Sequence, residues 1–252
     1  AELACNGQSV PIYPQPIVVP TGTGGLAGPL VRVDGYGQFA GSMKGAIALV
    51  DLLHARWSSI LSPAVRAPIE TAFAAGASAA VAITNGPSGQ VIALNADGRA
   101  PMFPGPVALL APDMAKDFLA AAMTRKTARL TVDGQGGVRK AFNLVGRLDR
   151  GKARWLAIST PRSGWFGCAA ERGPGVAAWL DLVRWAGVAL PDHNLSFICN
   201  TGHEYEYLGA AEAMKQIAPP VDQTDFWLHI GANVAARDWH SIVGLAPLPS
   251  VD

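Results

Sequence analysis

Charge is scarce in this chain. Asp, Glu, Lys and Arg make up 15% of its 252 residues, against about 25% in a typical globular domain, while half of the residues are apolar. A disordered chain needs the opposite balance, so it is excluded. Neither sign dominates: 20 Lys plus Arg face 19 Asp plus Glu, for a formal net charge of +1. No stretch gathers basic residues with aromatics, so no nucleic-acid partner is expected. Long apolar runs are also missing. The longest, residues 72–83, is interrupted by Gly76 and Ser78 and falls short of the roughly 20 residues that cross a bilayer, so no membrane span is expected. The three cysteines, Cys5, Cys168 and Cys199, do not make a disulfide framework, and an odd number leaves at least one thiol free in a monomer. The first residues have neither a basic nor an apolar targeting region, so any address is expected to have been removed already, and the compartment stays open.

The length suits one large domain or two small ones. Residues 1–28 are rich in Pro and Gly and read as extended chain and turns. A first folded unit is expected over residues 29–138, with strands at 46–50, 79–84, 107–110 and 128–132, each a short β-rich or small-apolar run closed by polar or turn residues. Pro68 suits the first position of a helix carrying Ile69 and Phe73, with Gly76 as its C-terminal cap. Asp113 suits the cap of a second helix carrying Met114, Phe118 and Ala122. Residues 133–137 read as a linker.

A second unit is expected over residues 139–252. Strand runs at 143–146, 155–159, 195–200 and 226–230 alternate with helical segments, the βαβ pattern of an α/β protein with a mostly parallel, doubly wound sheet. The clearest helix spans 174–187, from Pro174 to Gly187, with Val176, Trp179, Leu180 and Val183 spaced for core packing. Ligands of such sheets bind beyond the C-terminal ends of the strands. Three loops there concentrate reactive side chains. The first carries Thr160, Arg162, Trp165, Phe166, Cys168, Glu171 and Arg172; the second His203, Glu204, Tyr205, Glu206 and Tyr207; the third follows His229, with Asp238 and His240 beyond it.

Several segments carry a resemblance. Lys44-Gly-Ala-Ile-Ala-Leu-Val-Asp51, the Ala-Gly-Ala of residues 75–77 with its apolar strand ending in Thr-Asn-Gly, and Pro-Gly-Pro-Val107 look like a protease-associated domain, an insert rich in β-structure. The Asn-Leu-Val-Gly-Arg-Leu148 opening, the Glu-Arg-Gly-Pro-Gly-Val-Ala-Ala178 helix start and the Gly-His-Glu-Tyr-Glu-Tyr-Leu-Gly209 loop are similar to the zinc aminopeptidases that carry such an insert. That superfamily also includes glutaminyl cyclases, glutamate carboxypeptidase and the transferrin receptor ectodomain. The resemblance covers most of residues 29–231 and implies a peptide or small-amide substrate and an extracytoplasmic setting. It also implies that about half of the usual catalytic domain is lacking, hence a fragment, a homo-oligomer, or a sheet completed by a second chain.

The metal motifs depart from that family. Its His-x-Asp motif falls on Thr160-Pro-Arg162, its bridging aspartate on Glu171, its general base and zinc ligand on His203 and Glu204, and its later aspartate nearest to His229. An arginine carries a permanent cation and supplies no ligand, so no metal is the first expectation, with a single zinc on Glu171, Glu204 and His229, or including His203, as the alternative. A bidentate Arg162–Glu171 pair can replace the cation. His203 is then the candidate acid/base, Cys168 the candidate nucleophile, and Glu204 the orienting acid or residual ligand. Thr160, Trp165 and Tyr205 are candidate substrate contacts. Cys168 as a small buried apolar residue and His203 as a hydrogen-bonded loop histidine stand beside these readings, and Cys199 is expected in the core. A catalytically inactive interaction scaffold, as in the transferrin receptor, is the third alternative.

Overall fold

The apolar runs form strands wherever β-branched and small residues can be covered on both faces. The computed structural model describes residues 1–134 and 136–231; Asp238 and His240 lie outside the described residues. The fold is mixed α/β, and the chain divides into two units, Ala1–Val138 and Arg139–Asp252.

In the first unit β1 (Glu2–Cys5), β2 (Gln8–Pro11), β3 (Tyr13–Pro14), β4 (Leu26–Asp34), β5 (Ile47–Asp51), β6 (Ala79–Ile83), β7 (Val107–Leu110) and β8 (Thr127–Thr131) make one sheet in the order β2-β1-β8-β4-β5-β6-β7-β3. The β4 to β7 block is parallel and the flanking pairs are antiparallel. Alternation then builds two cores. Ile47, Leu49, Val81 and Ile83 join one cluster with Phe118 of α2 (Lys116–Met123), whereas Ala48, Val50, Ala80 and Ala82 join another with Val65 and Ile69 of α1 (Pro63–Ala74).

Three expectations change here. Residues 1–28 are not a separate extended segment: they supply β1, β2, β3 and the start of β4 to the first unit. The overlooked signal is Asn6-Gly7, both at positive φ (52° and 77°), the pair that a two-residue hairpin turn between β1 and β2 demands. Helix α1 begins at Pro63 rather than Pro68. It closes as expected at Gly76, whose φ of +99° lets the Gly76 and Ala77 N–H groups reach the Phe73 and Ala72 carbonyls. Asp113 lies in a short 3-10 turn, Pro112–Met114, ahead of α2, which Ala115 precedes.

In the second unit β9 (Leu144–Leu148), β10 (Trp155–Pro161), β11 (Asn194–Asn200) and β12 (Thr224–His229) order as β12-β10-β11-β9. β10 is parallel to both β11 and β12, and β9 is antiparallel to β11. Helix α3 (Ala169–Ala189) follows β10, and α4 (Leu208–Gln216) follows β11. Helix α3 starts five residues before Pro174, which lies inside it. Its buried stripe is Arg172, Gly175, Trp179 and Ala186, with Val176 and Val183 packed at its margin. Leu180, expected in the core, is 46% exposed, because the stripe leaves it on the outer side of the helix.

Candidate functional site

Parallel β10, β11 and β12 end together, so the segments that leave them share one edge. The loop after β10 runs from Arg162 into Cys168, which adopts a left-handed conformation (φ 35°) just before α3. The segment after β11 passes Gly202 (φ 71°) into a 3-10 turn, His203–Tyr205, and then through two left-handed residues, Glu206 and Tyr207, into α4. With Phe166 also at positive φ, four residues other than glycine take costly backbone conformations beside one another in two loops. Such clustering is characteristic of sites where the surrounding structure fixes a shape.

Arg172 is the centre of this edge. Its side chain is 4% exposed and its Nη2 lies 3.0 Å from Glu171 Oε1 and 3.3 Å from Glu204 Oε1. Glu204 is itself 6% exposed. Arg172 Nε donates to the Ser163 carbonyl at 2.5 Å, and the His203 amide donates to Ser163 Oγ at 3.3 Å. The cation thus ties the first loop to the second. Its remaining nitrogen, Nη1, is buried and has no partner among the described residues.

Two histidines lie within the field of that cation. His203 packs edge-on against Tyr207, with centroids 4.7 Å apart. Burial chiefly, and then the Arg172 charge, hold its imidazole below the ordinary 6.5, while Glu204 and Glu171 oppose the shift. His229 is lowered in the same way, by burial and then by Arg172. His229 Nδ1 is 2.8 Å from Ser159 Oγ, and Trp227 Nε1 donates to the same oxygen at 2.7 Å.

The remaining candidates divide. Trp165 and Tyr205 meet edge to face, with centroids 5.9 Å apart, and join the two loops. Thr160 is buried, and its hydroxyl donates to the Ile230 carbonyl at 2.9 Å, which fixes the strand end. The pairing of Arg162 with Glu171 is not made. Arg162 is exposed and donates through Nη2 to the Phe142 carbonyl at 2.5 Å, and Arg172 takes Glu171 instead. Cys168 is partly exposed and packs against Gly164, where any added side chain would collide with its sulfur. Among the described residues no hydrogen bond joins Cys168 to His203. Cys199 is buried in β11 and burial pushes its thiol pKa up, as suits a core residue.

Three further residues carry no functional signal in the sequence. Asn143 donates through Nδ2 to the Gly209 carbonyl at 2.8 Å and accepts at Oδ1 from the Thr201 amide at 3.0 Å, clamping both ends of the second segment. Ser163 bridges Arg172 and His203, and Ser159 holds His229.

The donor set does not fit the zinc alternative. Among the described residues no three His, Cys, Asp or Glu side chains gather as a metal would require, and both acidic candidates, Glu171 and Glu204, are bound to Arg172. A guanidinium placed on the two carboxylates competes directly with a divalent ion for them.

No family profile and no curated protein sequence matches the chain. Solved structures do. BSAP, a zinc aminopeptidase from Bacillus subtilis, superposes with a TM-score of 0.68 at 18% identity, over 97% of this chain and 60% of that one. An aminopeptidase from Aneurinibacillus sp. strain AM-1 gives a TM-score of 0.62 at 16% identity, over 98% of this chain and 61% of that one. The chain therefore has the fold of the zinc aminopeptidases and spans about 60% of the length of these two.

Proposed function

We propose that the chain is a divergent hydrolase of peptide or small-amide bonds whose site is organised by Arg172 in place of metal ions. One observation carries this reading: a buried guanidinium holds Glu171 and Glu204 at the strand ends of an aminopeptidase fold. A neutral imidazole beside it is suited to take a proton, and burial with the Arg172 charge keeps His203 neutral at pH 7. In this reading His203 is the acid/base and Glu204 positions the guanidinium. Cys168 is the nucleophile: its proton passes to His203 as sulfur attacks the carbonyl, the amine leaves with that proton, and water cleaves the thioester. Trp165 and Tyr205 flank the entering substrate. The first unit serves as a protease-associated insert, and the second sheet as part of a doubly wound core.

The test is turnover of a panel of aminoacyl amides, with metal content measured on the same protein. Turnover that survives exhaustive chelation and disappears in His203→Ala supports the proposal. Two tightly held zinc ions per chain, with turnover lost on their removal, would overturn it. If Cys168→Ala retains full turnover, the thiol step fails. No turnover of any amide favours the interaction scaffold, for which the pairing of Glu204 with Arg172 is the supporting observation.

A further inference from the structure

Ser159 and Trp227 have no part in the proposed hydrolysis, yet they converge on His229. Ser159 and His229 are direct partners across the parallel β10–β12 ladder, and Trp227, two residues before His229, shares its side of β12. The hydrogens can be assigned one by one. An indole nitrogen only donates, so the 2.7 Å contact makes Ser159 Oγ an acceptor from Trp227. The serine hydroxyl then has one hydrogen to give. Among the described residues its only other partner is His229 Nδ1, at 2.8 Å. A hydroxyl donating to Nδ1 requires an unprotonated Nδ1, which puts the ring hydrogen of a neutral imidazole on Nε2. The opposite arrangement would leave the hydroxyl hydrogen of a buried serine without an acceptor, which is costly.

We infer that Ser159 and Trp227 form a clamp that fixes His229 as the Nε2–H tautomer, and that this N–H is the hydrogen-bond donor offered to the carbonyl oxygen of a bound amide. The inference rests on the proposed function for its substrate and deepens it. A site whose carboxylates are taken by an arginine needs another group to polarise the carbonyl, and a neutral imidazole held in one tautomer is a known way of doing so. The surroundings agree. Arg172 lies close enough to disfavour a second proton on the ring, and His229 ends β12 only partly covered, whereas Ser159 is buried. Ser159 and Trp227 are positioning residues; His229 is the group that touches the substrate.

The experiment uses the full chain with 15N-labelled histidine, whose long-range proton–nitrogen spectra report which ring nitrogen carries hydrogen. His229 is expected as the pure Nε2–H form in the wild type, as a mixture in Ser159→Ala, and as the Nε2–H form again in Ser159→Thr, which restores the hydroxyl. Leucinamide is expected to shift the His229 Nε2–H signal in the wild type and to leave it unmoved in Ser159→Ala. A wild-type Nδ1–H form, or tautomer populations indifferent to Ser159→Ala, overturns the clamp. A clamp that behaves as expected but a signal unmoved by leucinamide overturns the donor role. If the tautomer and the leucinamide shift are found but no amide is turned over, the hydrolase reading fails while this inference stands.

Discussion

Arg172 Nη2 lies 3.3 Å from Glu204 Oε1, and both side chains are almost wholly buried. Burial removes the water that would otherwise solvate either charge, so each depends on the other. Removing the cation alone leaves an uncompensated carboxylate. Arg172→Ala is expected to cost about 3–5 kcal/mol, measured by urea denaturation. Replacing both partners with methionine is expected to recover most of that loss. A single-mutant cost below about 1 kcal/mol, the range of exposed pairs, would show the pair to be solvated.

The Asn143 clamp makes a second prediction. Asn143→Ala removes two hydrogen bonds, to the Thr201 amide and the Gly209 carbonyl, and is expected to cost about 1–3 kcal/mol. Amide hydrogen exchange should show protection lost at Thr201. A side chain on Gly209 would overlap the Thr201 carbonyl, so Gly209→Ala should loosen the same segment. Unchanged exchange in both variants would contradict the clamp.

Stability should depend on pH with a definite sign. His203 and His229 are held below 6.5 in the folded chain. As pH falls, the unfolded imidazoles take up protons first, at about 6.5, so the unfolded state is favoured in the interval between the unfolded and folded values. Their contribution is intact above about 6.5, declines as pH drops through it, and is fully lost once pH passes below the folded value. Tm measured between about pH 7.5 and 5.5 should fall more in the wild type than in a chain carrying His203→Gln and His229→Gln. An equal fall in the two would refute the assignment.

Thiol reactivity should be selective. Cys168 is partly exposed, whereas Cys5 and Cys199 are buried with raised pKa values. Iodoacetamide at neutral pH should label the native chain once, at Cys168, with the site read by peptide mass spectrometry, because reaction needs both access and thiolate. Labelling of Cys199 before Cys168 would overturn this ordering.

Much of the fold was legible because short apolar runs have few alternatives: β7 spans the residues expected, and β5, β6, β10 and β11 differ by one or two at their ends. The helix starts were not. Pro68 and Pro174 suggested first turns, yet each is the sixth residue of its helix. Both helices tolerate a missing amide there because packing on the sheet outweighs the local preference. The site was legible in its loops but not in its partners. Arg162 and Arg172 are equivalent as composition, and only helical spacing separates them: Arg172 lies seven residues before the buried Trp179 and shares its stripe with Gly175 and Ala186. Extending that stripe backwards past Pro174 would have identified the buried arginine. Ser159 could not be found in this way, because its role exists only once β12 lies beside β10.

Gly175 gives the cation a mechanical character. A methyl group there would stand 3.0 Å from the Gly231 carbonyl and 3.2 Å from Thr160 Oγ1, so the first turns of α3 rest directly on the strand tips with no slack beneath them. Arg172, three residues earlier on the same buried stripe, is anchored by Ser163 and Glu204, so the charge is built into the joint between helix and sheet.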